Sequence, residues 1–219
     1  MPAKAKPKPK RAYNATRRQA QAAEARRQMV AAAGRLFGER GYTGTTMEAV
    51  AQAAGVAVET VYAAFGSKRA LLARLVDVAV GGDDAPIPLL ERPGPEAVRQ
   101  EPDQVRQIQL LAEQMNAIMS RVGPLFEILR AAAKTEAEIA ELLQRLLAER
   151  RQGLGQFVRY LAANGPLRAG LSAAEAADTV WTLTSPEVYR LLTQDRGWSG
   201  EAYTTWLAQT LQTLLLPAR

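Results

Sequence analysis

The chain has 219 residues, 47% of them hydrophobic, which is enough to bury one large core or two modest ones. It contains no Cys and no His, which excludes disulfides and thiolate sites and removes the commonest metal ligand and general base. The formal net charge of +6 is uneven, because residues 1–40 carry 11 Lys and Arg against Glu24 and Glu39 alone. This excess favours a polyanion partner, although a solvated basic tail fits residues 4–11 equally well.

The first 40 residues are predicted to form a basic arm and one long helix. Residues 1–13 alternate Pro with Lys, so we expect a disordered arm. Asn14 or Thr16 is expected to begin a helix that reaches about Glu39, with an apolar stripe ending at Phe37. Four arginines precede that stripe and are expected to be available to a DNA backbone: Arg17, Arg18, Arg26 and Arg27.

Residues 44–72 are predicted to form two short helices around a tight turn. Thr45 and Glu48 have the spacing of a capping box, and Gly55 suits the left-handed position of the turn. The second helix is expected over roughly Val58 to Phe65. Such a pair is typical of a helix-turn-helix unit, whose second helix can lie in the DNA major groove. An ordinary helical hairpin is the alternative.

The run from Gly41 to Leu72 resembles the N-terminal DNA-binding domain of the TetR family of bacterial transcriptional regulators. The residues that carry the resemblance are Phe37, Gly41-Tyr42, Thr45-Thr46, Ala54-Gly55-Val56, Thr60, Tyr62, Phe65, Ser67-Lys68 and Leu71-Leu72. Two positions depart from the family pattern: Ala57 stands where a Ser or Thr cap is usual, and Ala64 where many members have a phosphate-contacting His. The resemblance implies an all-α protein with an N-terminal three-helix DNA-binding domain and a C-terminal helical ligand-binding and dimerisation domain.

A set of candidate DNA-binding residues follows from this resemblance. Val58, Glu59 and Thr60 are expected nearest the base edges, at the start of the recognition helix. Phosphate contacts are expected from Thr46, Tyr62 and Lys68, and Thr45 completes the predicted set. Glu59 can accept a hydrogen bond from a cytosine amino group or simply favour the helix dipole. A cation at the start of a helix, as Lys68 would be, is favourable only if a phosphate lies against the free amides.

Beyond the arm (residues 1–13), we predict a DNA-binding domain over residues 14–66, a connecting helix over 67–80 and a proline-rich loop over 81–102. The remaining residues, 103–219, are predicted to form the C-terminal domain. Its first helix is expected to stop at Gly123-Pro124, and a long helix is expected from Thr135 to Asn164. Ser172 and Glu175 form another capping-box pair, Pro186 should kink or restart the helix that they open, and a last helix is expected over about Ser199 to Leu216.

A mostly apolar ligand cavity is predicted within the C-terminal domain, because methionines and aromatic residues at helical spacing suit an adaptable pocket, although most such residues are plain core. The candidate lining residues are Gln114, Met115, Ile118, Met119, Phe126, Leu146, Arg150, Phe157, Trp181 and Tyr189. Arg150 can snorkel to water or point inward. If it points inward, it needs a carboxylate partner or an anionic ligand, because an unpaired buried charge is costly.

The leading functional hypothesis is a cytoplasmic, homodimeric regulator that a small molecule releases from a palindromic operator. The resemblance supplies the ligand step and implies that the last two helices pair with their copies in a second subunit, whereas an intrachain core is the competing interpretation of their apolar faces. No membrane span, metal or cofactor is expected. An all-α small-molecule-binding protein or enzyme is the alternative, but its chemistry would rest on Asp, Glu, Lys or Tyr alone. A non-specific nucleic-acid or scaffold protein is a third possibility.

Overall fold

A computed structural model describes the backbone of residues 10–218 and the side chains of residues 18–218. These residues contain helices and no strand, which confirms the predicted all-α class. Their α-helices are α1 (Lys10–Arg40), α2 (Met47–Ala54), α3 (Val58–Phe65), α4 (Lys68–Gly81), α5 (Pro93–Gln100), α6 (Gln104–Ala132), α7 (Ala137–Asn164), α8 (Ala173–Leu183), α9 (Pro186–Arg190) and α10 (Gly200–Leu215). The chain divides into two compact units, Met1–Leu72 and Ala73–Arg219.

The N-terminal unit is built on the contacts of α2 with α1 and with α3. Its core combines apolar residues from the three helices: Met29, Ala33, Leu36, Phe37, Met47, Val50 and Val61. The Phe37 ring stacks on the Tyr42 ring, with 5.8 Å between centroids. As the helical spacing of these residues predicts, each short helix is held by one buried face, since helices of eight residues have little stability alone.

The start of α1 differs from the sequence prediction. The helix already includes Lys10, so Asn14 and Thr16 lie inside it instead of capping its end. Residues 1–9 of the predicted basic arm lie outside the described residues, whereas residues 10–13 are helical. Neither of the two capping candidates therefore begins α1.

In the C-terminal unit α6 lies at the centre, in contact with α5, α7, α9 and α10, while α8 packs on α7. The predicted stop of the first of these helices at Gly123-Pro124 is wrong, because α6 continues through Pro124. A proline inside a helix removes one hydrogen bond and costs about 3 kcal/mol. Val122, Leu125 and Phe126 are buried on both sides of Pro124, and their packing offsets that cost.

The proline-rich segment 81–102 is more ordered than the predicted loop. It contains a 3-10 turn, Leu89–Glu91, and the helix α5. Pro93 lies in the first turn of α5, where a backbone N–H has no helical partner and a proline is tolerated. Val98 is buried and fixes this helix to the unit, and the Gln107 side chain donates to the Val98 carbonyl at 2.9 Å. Pro93 therefore begins α5, and Pro102 follows its end.

The last three helices follow the predicted signals. Ser172 and Glu175 form the expected capping box at the start of α8. Pro186 restarts the helix as α9, with the Ser185 hydroxyl accepting from the Val188 amide. A π-helical turn, Leu191–Asp195, then leads towards α10. This restart positions α9 against α6, beside the cavity described below.

Candidate nucleic-acid interface and ligand cavity

The exposed face of α3 is the candidate DNA-reading surface. Val61 is 0% exposed and anchors the helix in the core, whereas the Tyr62 side chain is 46% exposed. Glu59 and Thr60 are also exposed, and Val58 is half-buried. Gly55, with φ +67°, ends α2 in the left-handed conformation that the turn requires. The turn and the buried Val61 together orient three predicted DNA-binding side chains outwards.

The two adjacent threonines have different roles from those predicted. Thr46, not Thr45, is the N-cap of α2, and its hydroxyl accepts from the Ala49 amide at 3.1 Å. The Thr45 side chain is fully buried, and its hydroxyl lies 3.0 Å from the Leu36 carbonyl and 2.9 Å from the Gly41 carbonyl. The capping box of Thr45 with Glu48 and the assignment of Thr45 to the DNA-binding set are therefore wrong. Thr46 remains exposed.

Lys68 begins α4 and is held against the N-terminal unit. Its ammonium donates to the Tyr42 and Thr45 carbonyls, at 3.0 and 3.1 Å, and lies 4.1 Å from the centroid of the Tyr42 ring. An ammonium group has three donors, so one donor remains beyond these two bonds. The preceding Ser67 hydroxyl accepts from the Ala70 amide and caps the helix. The phosphate contact of Lys68 stays a prediction, with only one donor to make it.

Two of the arginines expected to be available to DNA already have partners within the protein. The Arg26 guanidinium donates to the Ala64 carbonyl at the end of α3 and lies 5.5 Å from the Phe65 ring centroid. Arg27 pairs with Glu24 one turn earlier. Ala57, the N-cap of α3, offers no side-chain hydrogen bond. The Arg26 contact therefore supports α3 from its C-terminal end, opposite the uncapped N-terminus.

A cavity of about 690 Å³ lies within the C-terminal unit. Eight of the ten predicted ligand-binding residues line it: Gln114, Met115, Ile118, Met119, Phe126, Leu146, Arg150 and Phe157. Trp181 and Tyr189 do not line it. Tyr189 instead packs edge-on against the Tyr203 ring, at 4.8 Å between centroids. Trp181 lies behind the cavity, under Arg150.

The sequence analysis missed the side of the cavity formed by α4 and by residues 81–99. Lining residues from this part of the chain include Val76, Val80, Ile87, Leu89, Leu90, Arg92 and Val98. Ile87, Leu89 and Leu90 are also exposed and form an apolar rim. The sequence does carry a signal for this wall: three large apolar residues, Ile87, Leu89 and Leu90, lie among prolines in a segment expected to be a surface loop. Exposed apolar residues often mark binding sites.

Arg150 points inward. Its Nη2 donates to the Trp181 carbonyl at 2.6 Å and to the Thr184 hydroxyl at 2.7 Å, and its Cζ lies 5.2 Å from the Trp181 ring centroid. Thr184 is fully buried, and its hydroxyl donates a hydrogen bond to the Val180 carbonyl at 2.7 Å. Of the two alternatives for Arg150, the structure therefore has the inward orientation and not the snorkelling one. The guanidinium is hydrogen-bonded to the buried C-terminal end of α8 and not to bulk water.

Burial shifts the ionisation of groups around this end of the cavity. Burial lowers the pKa of Arg150 to about 10, partly offset by the nearby Glu187 carboxylate. Burial raises the pKa of Tyr203, and it also raises that of Asp77, which lines the cavity at α4. Arg150 remains protonated at neutral pH, so the cavity contains a cation whose charge the surroundings stabilise poorly.

The described residues also exclude some other sites. Within residues 10–218, no helix has the length and apolar character needed to cross a membrane. No group of three or more acidic side chains in this part of the chain has a geometry suited to a metal ion. The cavity and the exposed face of α3 are two candidate sites of these residues.

Comparison with known proteins supports this assignment. Residues 29–75 match the model for bacterial regulatory proteins of the tetR family. A comparison with curated proteins finds no match. The fold is similar to that of FadR from Bacillus subtilis in complex with stearoyl-CoA, with a TM-score of 0.67, 19% identity, and 84% of this chain and 96% of that chain covered.

Two further solved structures show the same likeness. NalD, the secondary repressor of the MexAB-OprM multidrug efflux pump in Pseudomonas aeruginosa, is 21% identical, with a TM-score of 0.66 and coverage of 90% of this chain and 98% of that chain. A transcriptional regulator from Saccharomonospora viridis in complex with choline is 20% identical, with a TM-score of 0.66 and coverage of 90% and 100%. The fold is thus shared over nearly the whole of these chains.

Proposed function

We propose that this chain, whose N-terminal domain matches the TetR family model and whose fold is TetR-like, is a non-enzymatic DNA-binding transcriptional regulator controlled by a small molecule. The observation that carries the proposal is the placement of α3, which buries Val61 and exposes Glu59, Thr60 and Tyr62. An eight-residue helix with one buried anchor and three exposed polar side chains suits insertion into a major groove.

The roles within the interface follow from exposure and from the free hydrogen-bonding groups. Val58, Glu59 and Thr60 read base edges, and Glu59 accepts from a cytosine amino group. Thr46, Tyr62 and the remaining donor of Lys68 contact phosphates, which set position and not sequence preference. Thr45 acts indirectly, because its buried hydroxyl fixes the turn before α2.

The regulator is proposed to act as a cytoplasmic homodimer on a palindromic operator. The apolar faces of the helices with Trp181 and Trp206 supply the interface, and Leu191 and Leu214 are large apolar side chains exposed in the same part of the chain. Two recognition helices on one face of a duplex then lie about 34–36 Å apart, or a multiple of that. A monomeric mass in sedimentation at micromolar concentration would remove the dimer from the proposal.

The cavity is proposed to hold the controlling ligand. Its volume of about 690 Å³ lies within the ~300–1,000 Å³ range of small-molecule sites, and similar folds occur with stearoyl-CoA, with choline and in the repressor NalD. We propose repression that ends when the ligand binds. Release requires that the ligand bind the DNA-incompetent arrangement of the dimer more tightly than the competent one.

Selection from a random double-stranded DNA pool, followed by sequencing of the retained fraction, tests the proposed function. The expected result is a palindromic consensus whose two half-sites are separated by one helical turn of DNA or a multiple of it. Retention without a consensus would identify a non-specific nucleic-acid binder, and no retention would remove the regulator hypothesis. Both outcomes contradict the proposal.

The Lys68→Ala variant tests the division between phosphate and base contacts. It should weaken all DNA sequences alike and flatten the salt dependence of binding by about one unit, since one phosphate contact is lost. Arg151→Ala is a suitable control, because Arg151 is an exposed arginine of the C-terminal unit that pairs only with the exposed Asp178. A changed sequence preference for Lys68→Ala would show that the assignment to phosphate is wrong.

A further inference from the structure

Arg150 has donors that the protein does not use. A guanidinium has five N–H donors, and two bonds from Nη2, to the Trp181 carbonyl and the Thr184 hydroxyl, are formed. The Nε and Nη1 atoms are buried and have no hydrogen-bond partner. A buried donor without a partner destabilises the fold, and a charged one does so more strongly. Arg150 contributes to the wall of the cavity, and its Nε and Nη1 are sealed from solvent without a partner.

No carboxylate forms an ion pair with Arg150 among the described residues. The acid that attracts it most strongly is Glu187, which is itself paired with Arg130. The neighbouring Glu149 pairs with Arg145 at 3.2 Å, one turn back along α7. The charges of Glu187 and Arg130 offset each other, so Arg150 has no carboxylate partner of its own.

The other arginines of the cavity wall differ from Arg150. Arg92 donates to the Gly81 and Ala85 carbonyls and to the Asp83 carboxylate, at 2.9, 3.1 and 3.0 Å. Arg74 donates to the Asp84 carbonyl, and Arg99 pairs with Glu96. Each of these three has a carboxylate or a backbone oxygen from its own segment of the chain. Among these arginines of the cavity wall, Arg150 alone has buried nitrogens without a hydrogen-bond partner.

Two more polar groups near Arg150 are buried without a partner. The Trp181 indole, which lies under the guanidinium, has an unpaired Nε1–H, and the fully buried Tyr203 has an unpaired hydroxyl. An indole N–H is only a donor, and a phenol can donate. Apart from Glu187, whose Oε1 lies against Arg130, the unpaired polar groups near Arg150 can all donate, which suits an anion.

We propose that the cavity ligand is an amphipathic organic acid with a single carboxylate. Its carboxylate pairs with the Arg150 side chain, which turns its unpartnered Nε and Nη1 towards the ligand on binding. Its hydrocarbon body lies along Met115, Met119, Phe126, Leu146 and Phe157. A monoanion matches the single charge of Arg150, whereas the Asp77 and Glu149 carboxylates of the cavity wall disfavour the second charge of a phosphate. This inference rests on the proposed function, because it names the ligand class of the same cavity.

Binding of three probes with the same ten-carbon chain tests the ligand class: sodium decanoate, 1-decanol and decylamine. Isothermal titration calorimetry with the full chain, without DNA, at neutral pH gives the dissociation constants. A hydrogen bond to a charged group contributes about 1.5–3 kcal/mol, so decanoate should bind about 10- to 100-fold more tightly than decanol. Decylamine should bind most weakly. Equal affinity for decanoate and decanol, or tighter binding of decylamine, would overturn the proposal without any variant.

Substitution at position 150 locates the carboxylate. Arg150→Met keeps an unbranched apolar side chain, and replacement of a buried ion by an apolar group is often tolerated. The variant should bind decanoate and decanol equally, and Arg150→Lys should recover part of the preference. The matched control is Arg151→Met, the exposed neighbour on α7, which should keep the wild-type ratio. A wild-type preference in Arg150→Met would show that the anion binds elsewhere.

The outcomes separate this inference from the proposed function. Binding of decanoate through Arg150, with no DNA sequence preference in the random-pool selection, supports the ligand class and contradicts the regulator. A clear operator together with equal affinity for acid and alcohol supports the regulator and contradicts the ligand class.

Discussion

The two units of the chain differ in how they treat buried polar groups. In the N-terminal unit, the buried Thr45 hydroxyl has two carbonyl partners, and Lys68 places its ammonium on two more. In the C-terminal unit, Arg150, Trp181, Tyr203 and Asn116 all have buried polar atoms without a partner, and no such atom occurs in the described side chains of the N-terminal unit. The difference teaches that the two units meet the cost of burying polar groups differently: the N-terminal unit pairs them, whereas the C-terminal unit keeps several unpaired around Arg150 and α10.

The comparison predicts the largest losses of unfolding free energy for core residues of the C-terminal unit that do not border the cavity. Leu142 is 0% exposed and does not line the cavity, whereas Leu146, one turn later on α7, is 8% exposed and does. Leu142→Ala should cost about 2–5 kcal/mol of the free energy of unfolding. Leu146→Ala should lie at the low end of that range, since its side chain already borders empty volume. Urea unfolding measures both, and equal costs would break the comparison.

A second prediction tests how tightly the N-terminal unit is packed. A Cβ at Gly44 would lie 2.4 Å from the Arg40 carbonyl oxygen, whereas a Cβ at Gly38, inside α1, would meet nothing within 4 Å. Gly44→Ala should destabilise this unit by about 1–3 kcal/mol through overpacking. Gly38→Ala, the matched control, should stabilise it by about 0.5–1 kcal/mol. Hydrogen exchange of α2 amides measures both, and a neutral Gly44→Ala would show that the turn can relax.

The adjacent threonines sharpen the same comparison. Thr45→Val removes a hydroxyl that two carbonyls of the α1 end share, and should cost about 1–3 kcal/mol. Thr46→Ala removes an exposed cap and should cost about 0.5–2 kcal/mol. The two costs are measured by thermal unfolding. Because Thr46 is also a proposed phosphate contact, its variant alone should lose DNA affinity beyond the loss of stability.

The smallest effect is expected from Asp77, which lines the cavity. Burial raises its pKa in the folded protein, while Arg74 and Arg145 oppose the shift. Ionised Asp77 therefore destabilises the fold at neutral pH, and this penalty disappears as the pH falls below the ordinary carboxyl range of about 4. Asp77→Asn should raise the free energy of unfolding at pH 7 by less than about 1 kcal/mol, since solvent screens a half-exposed charge.

The control for this pH dependence is Asp178→Asn, because Asp178 is an exposed carboxylate that pairs with the exposed Arg151. It should change stability by less than about 0.5 kcal/mol. Unfolding measured from pH 3.5 to pH 8 should show a gain for Asp77→Asn only in the upper part of that range. A gain that persists at the acid end would contradict burial as the cause.

The sequence predicts those elements whose signals are local. The turn at Gly55, the capping box of Ser172 with Glu175 and the restart at Pro186 all depend on residues within four positions, and all three are confirmed. Pro124 fails as a signal because the packing of α6 on four other helices overrides the local preference for a stop. Single positions inside a well-packed helix therefore predict its length poorly.

The candidate site shows the same limit. Helical spacing finds the α6 and α7 walls of the cavity, since the same spacing that buries a residue also turns it towards the interior. It does not find the wall formed by residues 81–99, whose fold depends on prolines and on Arg92. Nor does it tell Thr45 from Thr46, because only the path of the turn decides which hydroxyl is buried.

Arg92 and the prolines of the cavity rim have a consequence for conformational entropy. Pro86, Pro88 and Pro93 restrict the unfolded chain, so ordering this segment costs less than ordering a flexible loop. Arg92 then joins Gly81, Ala85 and Ile87 through their carbonyls. None of these bonds uses the side chains of Ile87, Leu89 or Leu90. Substitutions at these three positions can therefore change the shape of the cavity rim while the backbone that carries them stays unchanged.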